Sequence, residues 1–151
     1  MGDLQLLVPD MRAKVLILEG ALAQNKRLAE LGYAFRRGET GRTLTTQMAY
    51  YSRSRMAVVD VKAMFKAAGL WALTDVEAQT RVTDTLDSMH IKGKAVDYVP
   101  TRNGKDDWNA PLEVWQILGD QAAAAQLDWG GNWGKTATKL GWDCPHVQLR
   151  E

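Results

Sequence analysis

The chain holds only two histidines, so any histidine chemistry in it belongs to His90 and His146. His90 precedes Asp97 in the stretch Ser88-Met89-His90-Ile91-Lys92-Gly93-Lys94-Ala95-Val96-Asp97. Asp97 interrupts an apolar, β-prone run and shares a strand face with Ala95 and Val99, where a carboxylate is costly unless a cation or a metal accompanies it. In one straight strand the odd offset from His90 to Asp97 puts the two side chains on opposite faces. Gly93 lies between them, where the chain can turn and let both converge. Near the C-terminus comes Asp143-Cys144-Pro145-His146, in which Pro145 forbids a regular helix and stiffens the entry to a strand beginning at His146. Two histidines and an aspartate are a ligand set of the kind a catalytic zinc uses, leaving a position for water, and Asp143 is a natural general base for that water. Plainer readings stand beside this one. Either histidine alone can be a hydrogen-bonded structural residue, Asp97 an edge-strand carboxylate, and Asp143 a loop-closing residue. Cys144 reads as a thiolate ligand or as a small packed side chain. A His-Glu-x-x-His helix is absent, which excludes the common zincin arrangement.

The elements that must position these groups follow from periodicity. Asp10, after Pro9, caps an expected helix to about Leu31, with Met11, Val15, Leu18, Leu22, Leu28 and Leu31 on one stripe and Gly32 as its stop. Tyr33-Ala34-Phe35 reads as a short strand, and a second helix is expected from about residues 43–45, carrying Gln47, Met48 and Tyr51. Residues 56–69 predict an amphipathic helix with Met56, Val59, Met64 and Phe65 toward the core. Thr74-Asp75-Val76-Glu77 matches a capping box that opens a helix to about Leu86. Residues 93–99 are strand-like, Asn103-Gly104-Lys105 is a turn, and Pro111 opens the last long helix, which ends in the alanine run 122–125. Two more short strands are expected at 127–129 and 147–149. Helices early and short strands late point to an α+β class, a small antiparallel sheet with several helices packed on it, in one domain over 1–151.

Length and composition narrow the classes. At 151 residues and 46% hydrophobic, the chain can bury a core without staples. Nineteen basic against eighteen acidic residues give a net charge of +1, which argues against a nucleic-acid partner held through phosphates. A single cysteine excludes an internal disulfide framework. No apolar run approaches a membrane span, so no stable membrane insertion is expected. The apolar stretch Leu4–Val8 is short and follows Asp3, so it reads as no signal peptide. The segment 36–55 is locally basic, and a solvated helix face is the expected role for most of its arginines. Of six tryptophans, Trp129, Trp133 and Trp142 flank the proposed site, while Trp71, Trp108 and Trp115 read as core or helix packing.

The two motifs together resemble the signature of the M15 zinc metallopeptidases, the family of the D-Ala-D-Ala carboxypeptidases and dipeptidases (the VanY-like fold) and of L-alanyl-D-glutamate peptidases that include many phage endolysins. The first motif is carried by Ser88, His90, Gly93, Ala95 and Asp97, and the second by Asp143 and His146. The segment Arg37-Gly38-Glu39-Thr40-Gly41-Arg42-Thr43, with Gln47 after it, is similar to the family's upstream Glu-Thr-x-Arg-Thr block. Asp128-Trp129-Gly130-Gly131-Asn132-Trp133 is similar to its tryptophan-glycine element. The likeness spans about residues 33–149 in the family's order. Two departures are visible: the segment 56–86 is long, as an insertion shaping the cleft or serving as a lid would be, and Val147 stands where the endopeptidase branch often has phenylalanine.

The resemblance implies that His90, Asp97 and His146 bind Zn²⁺, that Asp143 is the catalytic base, and that Arg42 stabilises a developing oxyanion or a substrate carboxylate. It implies substrate-binding roles for Ser88, Gln47 and Trp129. The implied activity is hydrolysis of the peptidoglycan stem peptide at the L-alanyl-D-glutamate bond, leading to bacterial lysis. The enzyme is then expected to be a monomer held in the host cytoplasm until its release to the wall. The alternatives are a D-Ala-D-Ala carboxypeptidase or dipeptidase on the same fold and a non-catalytic cell-wall-binding module.

Overall fold

The computed structural model describes residues 2–151. In chain order it contains a 3-10 turn at Leu4–Leu6, α1 (Pro9–Ala23), α2 (Lys26–Glu30), β1 (Tyr33–Arg37), α3 (Leu44–Ser52), α4 (Val58–Ala67) and α5 (Asp75–Ala78). There follow β2 (Ala95–Arg102), β3 (Lys105–Asp106), α6 (Leu112–Ala124), β4 (Leu127–Trp129), a 3-10 turn at Gly130–Asn132, and β5 (His146–Leu149). The expected α+β class is what the chain adopts. Two compact units are present: the residues up to Gly41 together with Lys92–Glu151, and Arg42–Ile91.

The first unit is built on an antiparallel sheet in the order β1-β2-β5-β4, with β3 paired to the end of β2. The backbone of β2 is occupied along both edges, by β1 over residues 98–102 on one side and by β5 over 95–97 and β3 over 101–102 on the other. Asn103 and Gly104 both adopt positive φ (53° and 75°), the left-handed pair that a two-residue hairpin demands. The core gathers Met11, Val15 and Leu18 of α1, Val114 and Leu118 of α6, and Val96, Tyr98, Leu127 and Val147 of the sheet. Gly119 lets the Trp129 ring lie directly on α6, because a Cβ there would run into the ring. Arg37 reaches from β1 to make a two-pronged pair with Glu19 of α1. Beneath that pair, burial holds the Tyr98 phenol far above its ordinary pKa.

The second unit has a small core of its own, Ala49, Val61, Phe65, Leu73 and Ala78, flanked by Tyr50, Met64 and Leu70. Thr43 caps α3 by accepting from the Thr46 amide, and Thr74 and Glu77 form the expected capping box at α5.

Several expectations are corrected. The long first helix breaks at Gln24-Asn25, where Asn25 accepts from the Leu28 amide and starts a new helix. Val8 is the N-cap of α1, and Asp10 sits inside its first turn. The capping box at Thr74 opens one turn and no more. Thr83 and Thr85 turn their hydroxyls onto nearby backbone over 83–87, an alternative to helix that short polar side chains favour. Met56 and Val59 face solvent, and α4 buries Val61 beside the expected Phe65, with Met64 partly buried against the same core. Trp71 and Trp108 are also exposed, although Trp71 packs edge-on against Phe65. Arg37 and Arg53 depart from the solvated face expected of 36–55: Arg37 is held by Glu19, and Arg53 is buried with its Nε donating to the Glu77 carbonyl.

Candidate metal centre

Asp97 and His146 are direct cross-strand neighbours in the antiparallel pairing of β2 with β5, so their side chains leave the sheet on the same face. The backbone of Asp97 is gripped beyond the end of β1: its amide donates to the Glu39 carbonyl, and its carbonyl accepts from the Gly38 amide. The Tyr98 amide donates to the Pro145 carbonyl, which fixes the approach to β5. The His146 amide donates to the Asp143 carbonyl, a tight turn that brings the Asp143 carboxylate back over the imidazole. His146 Nδ1 lies 3.6 Å from Asp97 Oδ1 and 3.8 Å from Asp143 Oδ2.

The other side of the His146 ring is also occupied. Its Nε2 is 2.8 Å from Gln148 Oε1, and Trp133 packs on the ring at 5.1 Å between centroids. Burial lowers the His146 pKa, but the contacts with Asp97 and Gln148 and the charges of Asp97 and Asp143 outweigh it, so the net shift is upward. A buried imidazole that favours its cationic form marks a place where two carboxylates call for positive charge.

His90 is also buried, and its amide donates to Ser88 Oγ within a turn that the Ile91 amide closes on the Ser88 carbonyl. Gly93 follows with φ +68°, and a Cβ there would come 2.6 Å from the Leu6 carbonyl oxygen, so the turn expected between His90 and Asp97 needs this glycine. One donor atom each from His90, Asp97 and His146 lies within 4.8 Å of the other two. Two imidazole nitrogens and one carboxylate oxygen, largely withdrawn from water, suit Zn²⁺ in type and number.

The remaining residues singled out from sequence fall as follows. Arg42 donates to Gln47 Oε1 and lies 4.8 Å over the Tyr50 ring. Gln47 is fully buried, and its amide nitrogen donates to the Thr85 carbonyl. Trp129 is 2% exposed, and its indole N–H donates to the Cys144 carbonyl at 2.6 Å, so it braces the segment that carries Asp143 and His146. Burial and the Asp143 charge raise the Cys144 thiol, which keeps it protonated. Gln148 was not visible as a site residue beforehand. The signal that could have found it is the His-x-Gln spacing, which puts both side chains on one face of a strand.

No family model matches the chain, and no curated protein matches it. Among solved structures it is similar to the L-Ala D-Glu endopeptidase ChiX of Serratia marcescens, with a TM-score of 0.55 and 22% identity over 97% of this chain and 83% of that one. It is also similar to the vancomycin-resistance D,D-pentapeptidase VanY of a VanB-type cassette, solved as a point mutant in complex with Zn(II). There the TM-score is 0.53 and the identity 19%, over 95% of this chain and 72% of that one. Both likenesses are likenesses of fold.

Proposed function

We propose that the chain is a zinc-dependent peptidase that hydrolyses the stem peptide of bacterial peptidoglycan at the L-alanyl-D-glutamate bond. The observation that carries the reading is the gathering of one donor atom each from His90, Asp97 and His146, with the Asp143 carboxylate beside His146. The motif order in the sequence and the fold shared with two peptidoglycan-directed peptidases support it.

When bound, Zn²⁺ supplies Lewis acidity, making water acidic enough to be a nucleophile near neutral pH and polarising a carbonyl. The chain does the rest. Asp97 offers its charge from a strand fixed on both edges, and His146 offers Nδ1 while its opposite nitrogen is held by Gln148. Asp143 sits on a turn rather than on a strand, with its carboxylate about one-third exposed, so it can take the proton from the attacking water and return it to the leaving amine. Arg42, its guanidinium oriented by Gln47 and Tyr50, is the group assigned to the developing oxyanion or to a substrate carboxylate. Release from the host cytoplasm to the wall, followed by lysis, is the setting this activity suits.

The likeness to VanY favours a second reading, a D-Ala-D-Ala carboxypeptidase or dipeptidase on the same fold. Mass spectrometry of fragments released from defined peptidoglycan, with and without a chelator, separates the two. Free L-alanine termini on the glycan side support the endopeptidase, and released D-alanine supports the carboxypeptidase. Wall that is bound but uncut in the presence of zinc would overturn both in favour of a binding module.

A further inference from the structure

Gln148 lies two residues after His146 on β5 and shares its face, and its Oε1 is 2.8 Å from His146 Nε2. An amide oxygen only accepts, so this contact requires the proton on Nε2. The neutral imidazole is then the tautomer whose Nδ1 carries the lone pair, and Nδ1 is the atom that faces Asp97 and Asp143. The ladder explains why Gln148 can reach its neighbour. Its cross-strand partner on β2 is Ala95, whose methyl carries no polar atom to compete for the Gln148 amide. On the other side its partner is Asp128 of β4, an acceptor-only group that also takes a hydrogen bond from Arg150. A carboxylate across the ladder favours the Gln148 amide nitrogen turned toward β4 and its oxygen turned toward His146.

We propose that Gln148 is a positioning residue for the metal centre, locking His146 in the Nε2–H tautomer and the ring orientation that present Nδ1 to the ion. The proposal rests on the zinc-peptidase reading above and extends it to a residue outside the ligand set and the base. A ligating histidine whose far nitrogen is hydrogen-bonded is a better and better-aimed donor, and loss of such a partner typically weakens metal affinity by about 10–100-fold.

The test uses the whole chain with Gln148→Met, which keeps the length and removes the acceptor, and Gln148→Glu, which keeps an acceptor at the same reach. Zinc affinity is read by competition with a chromophoric chelator, and the His146 tautomer by long-range proton–nitrogen NMR of the metal-free protein at alkaline pH, where the imidazole is neutral. With only two histidines, assignment needs one control variant. The expected result is about 10–100-fold weaker zinc binding and loss of the pure Nε2–H signature in Gln148→Met, with both restored in Gln148→Glu. Metal-free melting temperatures close to the parent's confirm that both variants fold. Parent-like zinc affinity and tautomer in Gln148→Met overturn the proposal. So does equal weakening in the two variants, which makes the side chain a packing element only. If the parent chain itself binds no zinc, the functional reading falls, and that outcome is distinct from either of these.

Discussion

In β2 and β5 the polar groups are placed by register, whereas in Arg42–Ile91 they are placed by individual hydrogen bonds. Asp97 meets His146 because the ladder pairs them residue for residue, and the ladder is backed by a core that runs through α1 and α6. Gln47 and Arg53, by contrast, are held by side-chain bonds, Gln47 to the Thr85 carbonyl, the Thr83 hydroxyl and Arg42, and Arg53 to the Glu77 carbonyl, over a core of five buried side chains. A register averages many bonds, so one weak contact moves little. A point attachment has no such reserve, and the free energy of opening follows the local density of buried contacts.

The predictions probe that contrast. The largest effect is expected from His146→Ala, which should remove stoichiometric zinc in metal analysis and reduce wall lysis to background while β2 and β5 stay paired. Retention of zinc would sink the assignment of this ligand. Asp143→Ala should leave zinc content intact and lower the turnover of defined peptidoglycan fragments by about 10²–10⁴-fold, the worth of a general base. Unchanged lytic activity would remove Asp143 from the mechanism. Phe65→Ala should cost about 3–5 kcal/mol in the small core. Native-state hydrogen exchange should then show amides of α3 and α4 exchanging faster while those of β2 and β5 keep their protection, and equal loss in both places breaks the comparison. Thr74→Ala removes the capping box of α5 and should cost about 1 kcal/mol by chemical denaturation.

The same contrast explains what was legible in the sequence. The strands were readable in part, from apolar runs and turn residues: the strand expected at 93–99 runs on to Arg102, and the short β3 after the Asn103-Gly104 turn has no apolar run to announce it. The grouping of His90, Asp97 and His146 was readable because each of the two histidines stands in a short motif, the first of them with Asp97. Gln148 was not, because a glutamine on a short strand has no signature until the register shows its neighbours. The helix expected up to Leu86 failed because a capping box specifies a start and not a length, and the threonines that follow satisfy the backbone through their own hydroxyls. The break at Asn25 had a local signal, since asparagine is a strong N-cap, but the unbroken apolar stripe on either side outweighed it.

The stretch between β4 and β5 carries one more consequence. The Gly141 amide donates to the Gly131 carbonyl and the Trp142 amide to the Trp133 carbonyl, while the Thr136 amide donates to the Lys139 carbonyl at the tip. Gly130 lets the Asp143 backbone lie against it where a Cβ would collide. The base of this loop is therefore clamped below Asp143, and its tip, residues 134–139, is exposed, tied to α6 through Lys135, which donates to Gln116 Oε1. Lengthening an exposed loop tip adds only a slowly growing closure entropy. A short reporter peptide placed between Ala137 and Thr138 should leave zinc stoichiometry and lytic rate near those of the parent, making this hairpin the natural port for labelling or grafting.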